Sequence, residues 1–237
     1  MPRMPKQRSA HYAPEPVEEK PIRINPKTIK VRKVTPKNQR QVDVLDSVQE
    51  NDLTFVLGTA GTGKSYLVVY AALLALVEGE VDRIVISRPA VDAGESIGFI
   101  PGPISEKMDP YLRPLFDALR EMVGPNVLQH MKDQNLVEIL PFAYMRGTSL
   151  KNSFIVLDEV QNATPDQLKT ALTRIGEGSV CVVTADPGQI DLIDKTCSSV
   201  LDMQRFRSVK GIGFVEFLPQ DVIRSRIVRL VLDCYTT

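Results

Sequence analysis

The sequence predicts an α/β fold, a doubly wound and mostly parallel sheet with helices on both faces. Three observations predict it. Near-continuous apolar runs of about five residues recur along the chain, as strands covered on both faces require. Stretches of helical period alternate with them. The run Leu53-Thr54-Phe55-Val56-Leu57 also passes directly into Gly58-Thr59-Ala60-Gly61-Thr62-Gly63-Lys64-Ser65, a glycine-rich turn set between a strand and a helix.

Residues 1 to about 34 are rich in proline and charge and poor in large apolar residues. They are expected to form a largely disordered tail ahead of one domain over 35–237. Within that tail, Ile29-Lys30-Val31 has the composition of a short strand. From Asn38 the pattern turns helical, with Val42, Leu45 and Val48 on one face. A strand is expected at 53–57 and a helix from Ser65 to Val77. Further strands are expected at 83–87, 137–140, 153–157, 179–184 and 212–217.

Between the second and third strands, Ile104, Met108, Tyr111, Leu112, Leu115, Phe116 and Leu119 keep helical spacing. Pro110 and Pro114 interrupt it, which predicts two short helices. The helix from Pro165 is well signalled: Thr164 as N-cap, Gln167 completing a capping box and Pro165 in the first position. Leu168, Ala171, Leu172 and Ile175 give its core stripe and Gly176 its end. No internal repeat is visible.

The 237 residues carry 29 Lys/Arg and 29 Asp/Glu. The balance hides an asymmetry. Residues 1–40 hold eleven Lys/Arg against three Glu, a net of +8, so the remainder carries −8. A basic tail on an acidic body points to a polyanion partner or to tail-to-body contact, with a solvated linker as the alternative. Three cysteines, Cys181, Cys197 and Cys234, have no metal spacing and read as reduced thiols of a cytosolic protein. Cys181 falls in an apolar run and is expected in the core. His11 and His130 are isolated. The longest apolar stretch, Tyr66 to Val77, is too short to span a bilayer, so no membrane association is expected.

The glycine-rich turn has the spacing of a phosphate-binding loop. Gly58, Gly61 and Gly63 free the backbone so that successive N–H groups converge on phosphate oxygens. Lys64 adds a point charge to the β and γ phosphates, Ser65 can ligate Mg²⁺, and the helix N-terminus adds its partial positive charge. The nucleotide-binding run is therefore Gly58, Thr59, Ala60, Gly61, Thr62, Gly63, Lys64 and Ser65, with Tyr66 next to it.

The apolar run ending at Leu157 delivers Asp158 and Glu159, the expected partners of such a loop. Asp158 can hold Mg²⁺ and Glu159 can take a proton from attacking water. In this topology the strand near 180–183 brings Gln189 close to the γ-phosphate. A transition-state cation is also needed, and Arg88, Arg224, Arg226 and Arg229 are candidates that spacing does not separate.

These motifs, in this order, resemble those of the PhoH-like proteins, phosphate-starvation-associated P-loop ATPases related to the superfamily 1 helicase core. The resemblance runs from about Val34 to Tyr235. It includes Thr35-Pro36-Lys37-Asn38-Gln39, the phosphate loop, Ser87-Arg88-Pro89-Ala90-Val91-Asp92, Glu106-Lys107-Met108-Asp109-Pro110, Tyr144-Met145-Arg146-Gly147, Leu157-Asp158-Glu159-Val160-Gln161-Asn162, Gln189-Ile190-Asp191-Leu192 and Asp221-Val222-Ile223-Arg224. It implies a RecA-like P-loop NTPase fold, with Gln39 reading adenine, Gln189 sensing the γ-phosphate and Arg224 as the arginine finger. Arg88 and Arg146 are implied as nucleic-acid contacts. Ala185 stands where the family usually has Gly, Thr148-Ser149 replaces an Arg-Thr pair, and Val160 replaces Ala.

The function expected is Mg²⁺-dependent ATP hydrolysis coupled to single-stranded RNA or DNA, with helicase-like remodelling. One lobe needs a second surface to move against, so a ring-like homo-oligomer is expected. The alternatives are a nucleotide-dependent binding switch with slow hydrolysis and a small-molecule kinase.

Overall fold

The computed structural model describes residues 23–89, 104–223, 227–228 and 234. In chain order the elements are α1 (Gln39–Glu50), β1 (Leu53–Leu57), α2 (Lys64–Glu78), β2 (Arg83–Ser87), α3 (Ile104–Val123), α4 (Pro125–Asp133), β3 (Val137–Ile139), β4 (Ser153–Leu157), α5 (Pro165–Leu172), β5 (Val180–Ala185), α6 (Val200–Met203) and β6 (Ile212–Glu216). The six strands form one parallel sheet in the order β3-β2-β4-β5-β1-β6. Each expected strand of the domain is present to within a residue at either end.

The apolar runs conceal a period of two. Val56, Ile84, Ile86, Phe154, Val156 and Val182 face a core built with α1 to α4. Their neighbours Phe55, Val85, Ile155, Leu157, Cys181 and Val183 face a second core with α5 and Met203 of α6. A sheet with both faces covered is the doubly wound arrangement, and it explains why these strands lack polar alternation.

Order within the sheet fixes the site. β5 lies between β1 and β4, so Val183 is the register partner of both Phe55 and Leu157. The phosphate loop leaves the C-terminal end of β1 and the Asp158-Glu159 pair leaves the end of β4. The end of β5 therefore sits between them, where ligands of open α/β sheets bind.

Three local expectations change. α3 is one helix of 20 residues that runs through both prolines. An interior proline costs about 3 kcal/mol, whereas each fully buried large side chain returns about 1.5–3 kcal/mol. Leu112, Leu115, Phe116, Leu119 and Met122 are all buried in the first core, so burial wins. Ile29-Lys30-Val31 is not a strand: Ile29 is buried in the first core and Arg32 N donates to Met122 O of α3 at 2.9 Å. Residues 23–34 thus pack on the domain, with Ile24 N bonded to Gln134 Oε1 at 3.0 Å. Residues 1–22 lie outside the described residues. α5 keeps its predicted capping box but ends at Leu172. Ile175 leaves the helix to bridge Leu150, and Gly176 N donates to Leu150 O at 2.7 Å.

Candidate nucleotide site

Two glycines in the phosphate loop are set by close approach. Gly58 has φ +146°, and a Cβ there would lie 2.5 Å from the Cβ of Phe217, just beyond β6. Gly63 has φ +87°, and its Cβ would lie 2.9 Å from Gln41 Nε2. Gly63 is the N-cap of α2 and supplies no side-chain cap, so the first-turn N–H groups of a 15-residue helix are left for an external acceptor. That is the chemistry of an anion cradle.

Lys64 is buried. Its Nζ donates to Gly58 O at 2.6 Å and Thr59 O at 3.0 Å. Burial lowers its pKa, opposed by the charges of Asp186, Glu159 and Asp158. The charges of three carboxylates from two strand ends thus act on one ammonium.

Ser65 Oγ donates to Asp158 Oδ1 at 3.0 Å. The bond joins the start of α2 to the end of β4, across β5. Asp158 is buried and its Oδ1 also accepts from Thr184 Oγ1 at 2.5 Å. A serine hydroxyl and a carboxylate side by side are the hard oxygen donors that Mg²⁺ takes when phosphates and waters complete its shell. Among the described residues no group of three His, Cys, Asp or Glu side chains is placed to hold a metal ion.

Glu159 is half-buried and left-handed, with φ 55° and ψ 40°. A non-glycine residue in this region is strained by about 1–2 kcal/mol. Its N–H reaches Thr184 Oγ1 at 3.3 Å, and its Oε2 accepts from Gln161 Nε2 at 2.6 Å. Beyond β5, Gln189 is exposed, and its N–H donates to Asp186 O at 3.0 Å. Asp186 is buried: Oδ1 accepts from Gly188 N at 2.9 Å, while Oδ2 has no hydrogen-bond partner among the described residues.

Other sequence-selected residues fall in different places. Gln39 is exposed and bonds Asp43 at 3.0 Å, within its own helix. Gln41 is the buried one. It donates to Thr62 O at 2.9 Å, accepts from Lys37 N at 2.8 Å, and lines a cavity of about 530 Å³ with Arg32, Lys37, Gly61, Gly63 and Tyr66. Tyr66 Oη donates to Glu121 at 3.2 Å, beside the Arg32–Glu121 ion pair at 2.8 Å.

Arg88 turns inward, with Nη1 3.8 Å from Asp158 Oδ2. Arg146 is exposed and borders a shallow cavity of about 440 Å³ with Asp166, Lys169, Thr170 and Thr173. Arg224, Arg226 and Arg229 lie outside the described residues, as does the segment from Ala90. Just before Arg224, Ile223 N donates to Gly61 O at 2.8 Å.

Sequence reasoning does not select Thr184, Gln161, Asp186 or Gln41. Thr184 and Asp186 are polar residues at the end of an apolar strand, the one local signal that points to them. Gln161 stands in the Leu157–Asn162 motif but has no role assigned there, and Gln41 has no local signal; burial distinguishes both, and burial is a tertiary property.

The sequence profile described as "PhoH-like protein" matches residues 33–236. A PhoH-like protein of Bacillus subtilis (strain 168) is 41% identical over 210 residues, covering 88% of this chain and 66% of that protein. A PhoH-like protein of Mycobacterium tuberculosis (strain H37Rv) is 44% identical over 203 residues, covering 85% and 58%. The chain thus spans less than two thirds of the length of these relatives. Among solved structures, the large terminase of a thermophilic bacteriophage matches with a TM-score of 0.55 at 12% identity, over 84% of this chain and 50% of that one. At that identity the likeness is one of fold.

Proposed function

The chain belongs to the PhoH-like protein family, and from that membership and the site geometry we propose that it is a Mg²⁺-dependent ATPase whose cycle is coupled to single-stranded RNA or DNA. The observation that carries the hydrolytic part is the Ser65–Asp158 hydrogen bond at 3.0 Å, which brings the phosphate loop and the acidic strand end to one point.

In this reading the uncapped N–H groups of α2 and the Lys64 ammonium hold the triphosphate. The adenine and ribose occupy the cavity bordered by Gln41 and Tyr66. Ser65 and Asp158 hold Mg²⁺, which when bound neutralises charge on the β and γ phosphates. Glu159 accepts a proton from water as its oxygen attacks the γ-phosphorus. The bond to the bridging oxygen breaks, and ADP and phosphate leave. Water suits this site better than an acceptor alcohol, because the base adjoins the metal-holding carboxylate in sequence.

Coupling to nucleic acid rests on family membership and on the cations Arg146 and Lys169 at the surface beside α5. We extend the proposal to self-association, with Arg224 acting between subunits, and to a cytosolic setting, where the free cysteines stay reduced. Among the described residues no helix is long and apolar enough to cross a membrane.

Phosphate release by the full chain in magnesium buffer, with and without single-stranded RNA or DNA, tests the proposal. Glu159→Gln is expected to lower turnover about a hundredfold while calorimetry still detects ATP binding. Absence of ATP binding, or turnover unchanged in that variant, overturns the hydrolytic reading. Turnover indifferent to both polymers overturns the coupling.

A further inference from the structure

Gln161 is fully buried, in the short turn that follows β4. Its side-chain amide is saturated. Nε2 donates one hydrogen to Glu159 Oε2 at 2.6 Å and the other to Gln189 O at 3.1 Å. Oε1 accepts from Asp186 N at 3.0 Å. The orientation of the amide follows from its partners, since reversing it would set an oxygen against two acceptors and an NH₂ against a donor.

We infer that Gln161 is a positioning residue that sets the carboxylate of Glu159 and couples it to the loop carrying Gln189. The inference rests on the hydrolytic reading above and deepens it. One rigid group spans the proposed base and the proposed γ-phosphate sensor, so a shift of the 186–189 backbone changes the bonds available to Glu159, and the reverse.

The surroundings stiffen this link. Asn162, the next residue, exchanges two bonds with Asp191, at 2.8 and 3.3 Å. Ser198 Oγ donates to Gln161 O at 2.6 Å and Ser199 Oγ to Val160 O at 2.8 Å. The turn after β4 and the 186–199 segment are therefore held together at several points, and Gln161 is the one that reaches the Glu159 carboxylate. A carboxylate at 161 would keep the bond from Asp186 N but offer no donor to Glu159 or to Gln189 O. An apolar side chain of similar length would lose all three bonds. Buried networks of this kind act as units, so the loss is not confined to one partner.

The test uses the full chain with Gln161→Glu and Gln161→Met. Each is checked by thermal unfolding and by calorimetric ADP affinity. In whichever variant remains folded, kcat is expected to fall about tenfold or more, with KM for ATP and ADP affinity within about threefold of the parent. In a Gln189→Ala background the bond to the 189 carbonyl persists but the sensor side chain is gone. The share of the loss that reflects coupling to that side chain is then expected to vanish while the share that reflects placement of Glu159 remains, a smaller loss than in the parent. A kcat within twofold of the parent, a KM and ADP affinity that move in step with kcat, or losses that simply multiply in the double variant would each overturn the inference. If the parent chain itself hydrolyses no ATP, the hydrolytic reading fails instead, and calorimetry on the parent separates the two cases.

Discussion

Thr184 offers a direct way to test how the site is held. It is fully buried at the end of β5, one residue beyond the Leu157–Val183 register pair. That position sets it beside Asp158. Its Oγ1 donates to Asp158 Oδ1 at 2.5 Å and accepts from Glu159 N at 3.3 Å. Thr184→Val keeps the shape and removes both bonds. Losing a hydrogen bond to a buried carboxylate costs about 1.5–3 kcal/mol, and orphaning the longer Glu159 N–H bond adds about 1 kcal/mol. The new methyl returns about 1 kcal/mol of apolar burial. The net expectation is a loss of about 2 kcal/mol, or roughly 4–8 °C in Tm for a domain of this size.

Denaturant unfolding at neutral pH measures it, with Thr184→Ser as the control that retains the hydroxyl. Glu159 also loses the anchor for its left-handed backbone, so phosphate release by the valine variant is expected to fall about tenfold. Valine and serine variants of equal stability and equal turnover would refute the reasoning, because the hydroxyl would then contribute neither to packing nor to the placement of the acidic pair.

Other perturbations have separate readouts. Gly58→Ala places a Cβ 2.5 Å from Phe217 Cβ at φ +146°. It is expected to destabilise the fold by about 2 kcal/mol or more and to weaken ATP binding, as seen by unfolding and calorimetry. Lys64→Met addresses pH. Burial lowers the Lys64 pKa from its ordinary 10.5, so between the lowered value and 10.5 the unfolded chain binds more protons than the fold. Stability from this group therefore rises with pH across that window, and the methionine variant is expected to lose the rise in urea titrations run from neutral pH to pH 10. At neutral pH the same variant is expected to be at least as stable as the parent while its ATP affinity drops.

Much of this protein is legible from local pattern. Strands such as 53–57 and 153–157 are bounded runs that need burial on both faces. The spacing from Gly58 to Ser65 admits few uses, and Thr164, Pro165 and Gln167 specify a helix start through contacts within four residues. α3 departs from its pattern for the converse reason. Pro110 and Pro114 are strong local breakers, and only the depth of the core against α2 and α4 decides that the helix continues through them. Residues 23–34 read as tail because their few apolar side chains look isolated in sequence, yet Ile24, Ile29, Val31 and Val34 meet the first core.

The site divides in the same way. Lys64, Ser65, Asp158 and Glu159 can be chosen from sequence because each follows an apolar run at a fixed step, and a strand must deliver its last residue to the sheet's edge. Strand order comes from the tertiary structure alone. Setting β5 between β1 and β4 makes Thr184 the neighbour of Asp158, brings Asp186 to Lys64 and lets Gln161 reach two loops at once. Pairing of β2 with β4 sets Arg88 near Asp158, and the packing of α1 on the phosphate loop makes Gln41, not Gln39, the glutamine of the cavity. Periodicity and capping act over a few residues and are written in their spacing. Lateral strand pairing joins residues more than a hundred positions apart, as Thr54 and Val182 are, and nothing local encodes that choice.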